Sequence, residues 1–254
     1  GHSAYFGAGA YTVAFIVRDL GAQSMELCIV GGLLGTLLIS ALFGFVCVRH
    51  TRIFFSILTL ALSQVLWSLA FKFFWVTGGT DGIRVASAKL TLLGGLVNFA
   101  GPGSFQRFVF AYYYYVLGLF ALATVMMWVV VHSPFGKALQ AIRDNETRAS
   151  FSGAFTGLAG ILWVPLNGLT TPDILYWPFS GEIVFMSVLG GFRTFTGPIV
   201  GAVVFNYLKT YAVASTEYWQ LLLGVVLVVL VLALPSGIVG TAARLAARFT
   251  RGTS

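Results

Sequence analysis

The residues best suited to chemistry do not assemble in this chain. His2, His50 and His132 are scattered at the ends of apolar runs, and no Cys/His/Asp/Glu group has metal-ligand spacing. Haem ligation inside a membrane needs histidines deep within helices, and these three are not placed for it. There is no Ser/His/Asp or paired-carboxylate constellation and no G-x-x-x-x-G-K-[ST] phosphate loop. Cys28 and Cys47 share one apolar run, which excludes a disulfide framework. The pattern points away from a catalytic site and toward a chain without a cofactor of its own.

One charge stands out. Arg193 lies inside the apolar run 183–208, next to Gly190-Gly191 and before Gly197-Pro198. An arginine at that depth costs about 2.5–3.5 kcal/mol on insertion scales, so it must face protein or water. Two readings stay open: it attracts a carboxylate through a bidentate contact, or it reaches a membrane surface or pairs structurally with an acid.

The elements that carry these residues follow from composition. The chain has 254 residues, 58% hydrophobic and 9% charged, with mean hydropathy +0.90. A soluble domain has roughly a quarter charged residues. So little polar surface argues against a cytosolic enzyme, a nucleic-acid binder or a disordered tail. The net charge of +7 is too sparse for a phosphate-tracking stripe and reads as membrane orientation. The sequence therefore describes an all-α polytopic membrane protein.

A spanning helix needs about 20 apolar residues. Runs 27–48, 53–76, 108–131 and 219–238 qualify, and the aromatic run Tyr112 to Tyr115 reads as an interfacial belt. Run 4–17 is too short to cross by itself. Run 152–169 is marginal, with Pro165 interrupting it. In run 183–208 the glycine pair and Pro198 predict two half-helices meeting at a non-helical joint.

The positive-inside rule gathers Arg49, His50 and Arg52, then Lys137, Arg143 and Arg148, then Arg244, Arg248 and Arg251 on one side. Segments 18–26, 77–107, 170–181 and 209–218 then lie on the other. The broken run must enter and return between the last two, as a re-entrant or discontinuous pair does.

The one polar segment with internal design follows Ser133, a candidate N-cap, with Pro134 at the first helical position. Phe135, Leu139 and Ile142 make one apolar face, while Lys137, Gln140, Arg143 and Asp144 lie mostly away from it. Either this is a solvated surface helix or it docks a cytoplasmic partner and transmits force.

Pro134-Phe135-Gly136-Lys137-Ala138-Leu139-Gln140-Ala141-Ile142-Arg143-Asp144-Asn145-Glu146 closely resembles the coupling segment of the LivM-type permeases of branched-chain amino-acid ABC importers. Four further stretches agree in order. Gly1-His2-Ser3-Ala4-Tyr5-Phe6-Gly7 resembles the family's early glycine-rich motif, and Thr77-Gly78-Gly79-Thr80-Asp81-Gly82-Ile83 its external loop. Leu189-Gly190-Gly191 through Gly197-Pro198 resembles its broken-helix motif, and Pro235-Ser236-Gly237 its C-terminal stop.

The resemblance implies a single permease domain over 1–254, a multi-span importer subunit with half-helices and a short cytoplasmic coupling helix. It implies residence in a bacterial inner membrane, and a sister permease (LivH-like), two cytoplasmic ATPases that carry the ATP and Mg chemistry, and a periplasmic binding protein. Gly136, Lys137, Ala138, Leu139, Ala141, Ile142, Arg143, Asp144 and Asn145 would dock the ATPase. Thr77, Gly78, Gly79, Thr80, Asp81 and Gly82, with Gly190, Gly191, Arg193, Gly197 and Pro198, would form the pathway and its mouth. Asp81 reads equally as a plain Asp-Gly turn.

Departures from the family pattern predict residues missing before Gly1 and near 151/152, just beyond the coupling segment 133–149, and Arg193 stands where the family usually has glycine. Branched-chain amino acids are the expected substrate, with urea, amides and aromatic acids open. An ion-coupled secondary transporter is the rival reading, disfavoured because the clear spans hold no carboxylate. A purely structural membrane subunit is a third.

Overall fold

The computed structural model describes residues 1–47, 53–86, 90–95, 97, 103–134, 146–192, 194–234, 236–242 and 244, with the backbone alone for 53–56, 94 and 146–152. Segments 135–145 and 193, which hold the coupling residues and Arg193, lie outside the described residues. The chain divides into two compact units, Gly1–Phe179 and Ser180–Ser254.

The first unit is built around α1 (His2–Asp19), which packs most extensively against α2 (Met25–Cys47) and α6 (Glu146–Asn167). Glycines permit this packing. A Cβ on Gly9 would lie 2.4 Å from the carbonyl oxygen of Gly157, and one on Gly160 would lie 2.0 Å from that of Phe6. Gly32 and Gly35 of α2 similarly receive Ile161 and Thr12. In lipid, close backbone approach of this kind takes over from the hydrophobic drive. Residues Ser3 to Tyr11 of α1 are all buried, so this short glycine-rich run is the centre of the unit.

Ser24 caps α2 by accepting the Leu27 N–H at 3.4 Å. Among the described residues three helices are long and apolar enough to cross a membrane: Met25–Cys47, Ser104–His132 and Trp219–Ala242. A bent pair makes up to four. The helix Ser104–His132, here α5, has 29 residues and exceeds the roughly 30 Å hydrocarbon core.

Three sequence expectations are corrected. Run 53–76 is not one straight helix: α3 (Ile53–Lys72) and α4 (Phe74–Thr77) meet at Phe73 in a bend of 82°. Thr77 Oγ1 lies 2.5 Å from the Ala70 carbonyl and 2.8 Å from that of Phe73, drawing the chain back on itself. Pro165 does not interrupt its helix. It sits two residues before the end of α6, so only Leu166 and Asn167 of the helix lie beyond it, and α6 runs unbroken through 151 and 152. Tyr112 is no part of an interfacial belt: it is fully buried and donates its hydroxyl to the Leu162 carbonyl at 2.9 Å, while Tyr113 and Tyr114 are exposed.

Three of the segments that charge assigns to one side, 18–26, 77–107 and 170–181, meet within the first unit. Gln23 and Met25 exchange backbone hydrogen bonds with Thr91 at 2.6 and 3.0 Å, and the Leu93 N–H donates to Glu26 at 2.7 Å. A short antiparallel ladder pairs β1 (Ile83–Arg84) with β2 (Leu169–Thr170), Ile83 opposite Thr170.

The second unit is a helical hairpin, α7 (Trp177–Gly190, from Ser180 onward within this unit) and α8 (Gly197–Ser215), with α9 (Trp219–Ala233) packed on α8. Leu189, Phe205 and Leu227 form its buried core.

Gly160→Ala should lower stability by about 1–3 kcal/mol, because the added methyl meets backbone and cannot be accommodated by a rotamer change. Gly118→Ala meets nothing within 4 Å and should be neutral or slightly stabilising. Thermal unfolding in detergent, read by a thiol dye reaching the buried Cys28 and Cys47, measures both. Equal midpoints would refute the close approach of α1 and α6.

Candidate functional site

The loop singled out in the sequence, Thr77 to Gly82, is a tight backbone structure. Gly78, Gly79 and Gly82 all have positive φ, at 73°, 52° and 66°. A Cβ on Gly82 would lie 2.5 Å from the Thr170 carbonyl oxygen, so only glycine lets the loop press against β2. Thr77 Oγ1 also accepts the Gly79 N–H at 3.3 Å. Asp81 closes a 3-10 turn, its N–H donating to the Gly78 carbonyl at 3.0 Å, and is exposed.

Beside this loop, α1 and α3 diverge around a cavity of about 320 Å³. Gly7, Tyr11 and Phe15 form one wall, Leu66 and Ala70 another, and Val76 and Thr77 approach from the loop. Its lining is almost wholly apolar. The Tyr11 hydroxyl is buried with no hydrogen-bond partner among the described residues. Arg18 lies at the rim: its guanidinium sits 5.0 Å from the Phe15 ring centroid and donates to the Val76 carbonyl. It also bonds both Asp19 oxygens, at 2.6 and 2.9 Å, and these bonds hold the Asp19 carboxyl below its ordinary pKa.

In the second unit the expected broken run is present. Helix α7 ends at Gly190, α8 begins at Gly197, and the two run antiparallel in contact. A Cβ on Gly190 would lie 1.7 Å from the Gly197 carbonyl oxygen, and one on Gly201 would lie 1.9 Å from that of Met186. Several backbone groups of the joint find partners within it. Gly191 N–H donates to Ser187, Thr194 donates through both N–H and hydroxyl to Gly191, and Gly197 N–H donates to Thr194, all at 3.0–3.2 Å. Irregular backbone at membrane depth requires such satisfaction. Gly237, with φ 73°, fits against Gly191, so the C-terminal Ser236-Gly237 meets the joint. At the far end of the hairpin Lys209 Nζ lies 2.7 Å from both carboxylate oxygens of Glu182. Lys209 also lies 5.7 Å from the Trp219 ring centroid.

The family described as the branched-chain amino acid transport system / permease component matches residues 1–153 and 149–231. The chain belongs to this family. By its family and its apolar helices it is an all-α, multi-pass membrane protein. It is 24% identical to the high-affinity branched-chain amino acid transport system permease protein LivM of Escherichia coli (strain K12), over 94% of this chain and 62% of that protein. It is 25% identical to the protein of the same name from Salmonella typhimurium (strain LT2), with the same coverage. The chain thus spans less than two thirds of the length of these relatives. No solved structure matches it.

Within this permease fold the sequence-selected residues fall in separate places. Thr77 to Gly82 lie in the first unit, with Thr77 reaching the cavity, and Gly190, Gly191, Gly197 and Pro198 lie at the hairpin joint of the second. Ser133 is the C-cap of α5, extended at φ −76° and ψ 160°, and its hydroxyl donates to the Val130 carbonyl at 2.7 Å; the helix it was expected to open lies outside the described residues. Sequence reasoning missed the cavity and the Glu182–Lys209 pair. A cavity between helices leaves no local signal, and the pair joins residues 27 apart that each looked like an ordinary span end.

Gly190→Ala should destabilise the hairpin by about 1–3 kcal/mol, while Gly181→Ala, which meets nothing within 4 Å, should not. Reversing Glu182 or Lys209 alone should lower the unfolding midpoint, and the double charge swap should recover most of the loss. A double variant no better than the singles would show that the pair contributes nothing.

Proposed function

We propose that the chain is the membrane-spanning permease subunit of an ATP-driven importer in a bacterial inner membrane, translocating branched-chain amino acids or a related small solute. The observation that carries this reading is the family match over 1–153 and 149–231, together with relatives named as high-affinity branched-chain amino acid permeases. The partners would be a sister permease, two cytoplasmic ABC ATPases and a periplasmic binding protein. ATP and Mg would be handled by the ATPases. No comparison favours an ion-coupled carrier.

In this reading the basic clusters face the cytoplasm, and 133–149 docks an ATPase so that its closure moves the helices between inward and outward access. The apolar positions Leu139 and Ile142 would seat in the ATPase, with Arg143 and Asp144 fixing orientation. Arg193, beside the hairpin joint in sequence, would attract a substrate carboxylate.

Purification of the full-length protein with its operon partners tests the assembly. Two ATPases and a second permease in stoichiometric amounts are expected, with ATP-dependent uptake in liposomes. Transport by the chain alone without ATP would overturn the reading. Charge reversal at Arg143, or a bulky residue at Gly136, should separate ATP hydrolysis from uptake, whereas wild-type coupling in both would remove the docking role. Arg193→Ala should lower uptake about tenfold or more while the subunits still co-purify, since a charge-assisted bidentate contact contributes on the order of 1.5–3 kcal/mol.

A further inference from the structure

We propose that the cavity between α1 and α3 is a lipid site, taking one acyl chain of a phospholipid from the leaflet on the side of Asp19 and Lys72. The lining decides the chemistry. Thr77 has its hydroxyl spent on the Ala70 and Phe73 carbonyls, and the Tyr11 hydroxyl is fully buried, so Tyr11 meets the cavity with its ring. No charged residue lines the cavity. Water there would lack the two to four polar partners it needs. Left empty, a void of about 320 Å³ deprives its wall atoms of dispersion contacts. A hydrocarbon chain restores those contacts and gives up no hydrogen bond to do so.

Position decides the source. Helix α3 has 20 residues, about 30 Å, which matches the hydrocarbon core and puts Lys72 at its edge. The 82° bend then turns α4 away from the α3 axis, and its Trp75 is 95% exposed, as an interfacial aromatic is. Phe73 and Val76, half-exposed at the same corner, form the mouth of the cavity, with Leu69 below them. Gly7, Ala8 and Ala70, all buried, form its back wall. Along α1 the lining runs from Gly7 to Phe15, about 12 Å, close to the roughly 15 Å of hydrocarbon in one leaflet. Neither Arg18 nor Lys72 lines the cavity, so the walls read the chain and not the headgroup.

The site requires only that the chain lies in a membrane, so it stands or falls apart from the importer reading. The full-length protein with its co-purifying subunits is placed in phosphatidylcholine nanodiscs carrying a trace of phosphatidylcholine with a diazirine on one acyl chain. After illumination, adducts are located by peptide mass spectrometry. Residues Ser3 to Tyr11 of α1 are buried, so bulk lipid does not reach them. A diazirine at the methyl end of the chain should mark Gly7 and Ala8, and one beside the ester should mark Phe15 and Val76. Leu69 is partly exposed at the mouth, so Leu69→Trp fills the cavity without repacking the core and should reduce the α1 adducts to background. Leu60→Trp, exposed on α3 but outside the cavity, should leave them. Phosphatidylglycerol in place of phosphatidylcholine should give the same pattern, and excess leucine should not change it.

Wild-type adducts on the exposed face of α3 with none on α1 overturn the site and mean that protein covers its mouth. Adducts that persist in Leu69→Trp overturn it as well, as does the opposite order of methyl-end and ester-end marks along α1. Loss of the α1 adducts on adding leucine gives the cavity to a solute instead. The depth pattern is read on wild type, so it decides the matter even where Leu69→Trp fails to assemble.

Discussion

The nearness of two helix backbones underlies the arrangement of residues 1–179. Where α1 meets α6, glycine on each helix faces carbonyl oxygen on the other, at Gly9 against Gly157 and Gly160 against Phe6. Many weak dispersion contacts become available only at that separation. The approach buries α1 almost completely and leaves α2, α3 and α5 to present apolar side chains outward. It also fixes the wall from which Tyr11 and Phe15 look across to α3.

The same device recurs in the second unit with a different result. There Gly190, Gly197 and Gly201 bring α7 and α8 together at a turn, and a joint with backbone bonds of its own replaces the continuous helix. Close packing at one end and an ion pair at the other hold the hairpin along its length. Two glycine-rich stretches that look alike in composition thus give a buried straight helix in one unit and a folded-back pair in the other. The difference lies in Gly191, whose φ of 108° turns the chain out of the helix.

Much of this was legible in the sequence. Apolar run length gave α2, α5 and α9, since a membrane dictates helix length directly. The Gly-Gly and Gly-Pro pairs placed the hairpin joint, and the basic residues sorted the loops into sides that the 18–26, 77–97 and 169–175 contacts respect. The bend at Phe73 was not legible, because its cause is the Thr77 hydroxyl reaching back seven residues rather than a proline or glycine at the kink. Nor was the burial of Tyr112, one of four consecutive tyrosines distinguished only by which one faces Leu162. The cavity depends on residues from α1, α2, α3, α4 and the turn Pro172–Leu175, and had no signature in any of them.

The burial of α1 bears on how the protein is made. The backbone that its glycine face packs against arrives only with α6, and roughly 150 residues separate Gly9 from Gly157. At about 5–20 residues per second, the ribosome needs about 7–30 s to supply that partner. During this interval α2, joined to α1 by a short connection and capped at Ser24, can already pack on it. Biogenesis therefore passes through an α1–α2 pair with an unfilled groove, a stage at which α1 is open to proteolysis or to capture by a chaperone in a way the finished protein never is.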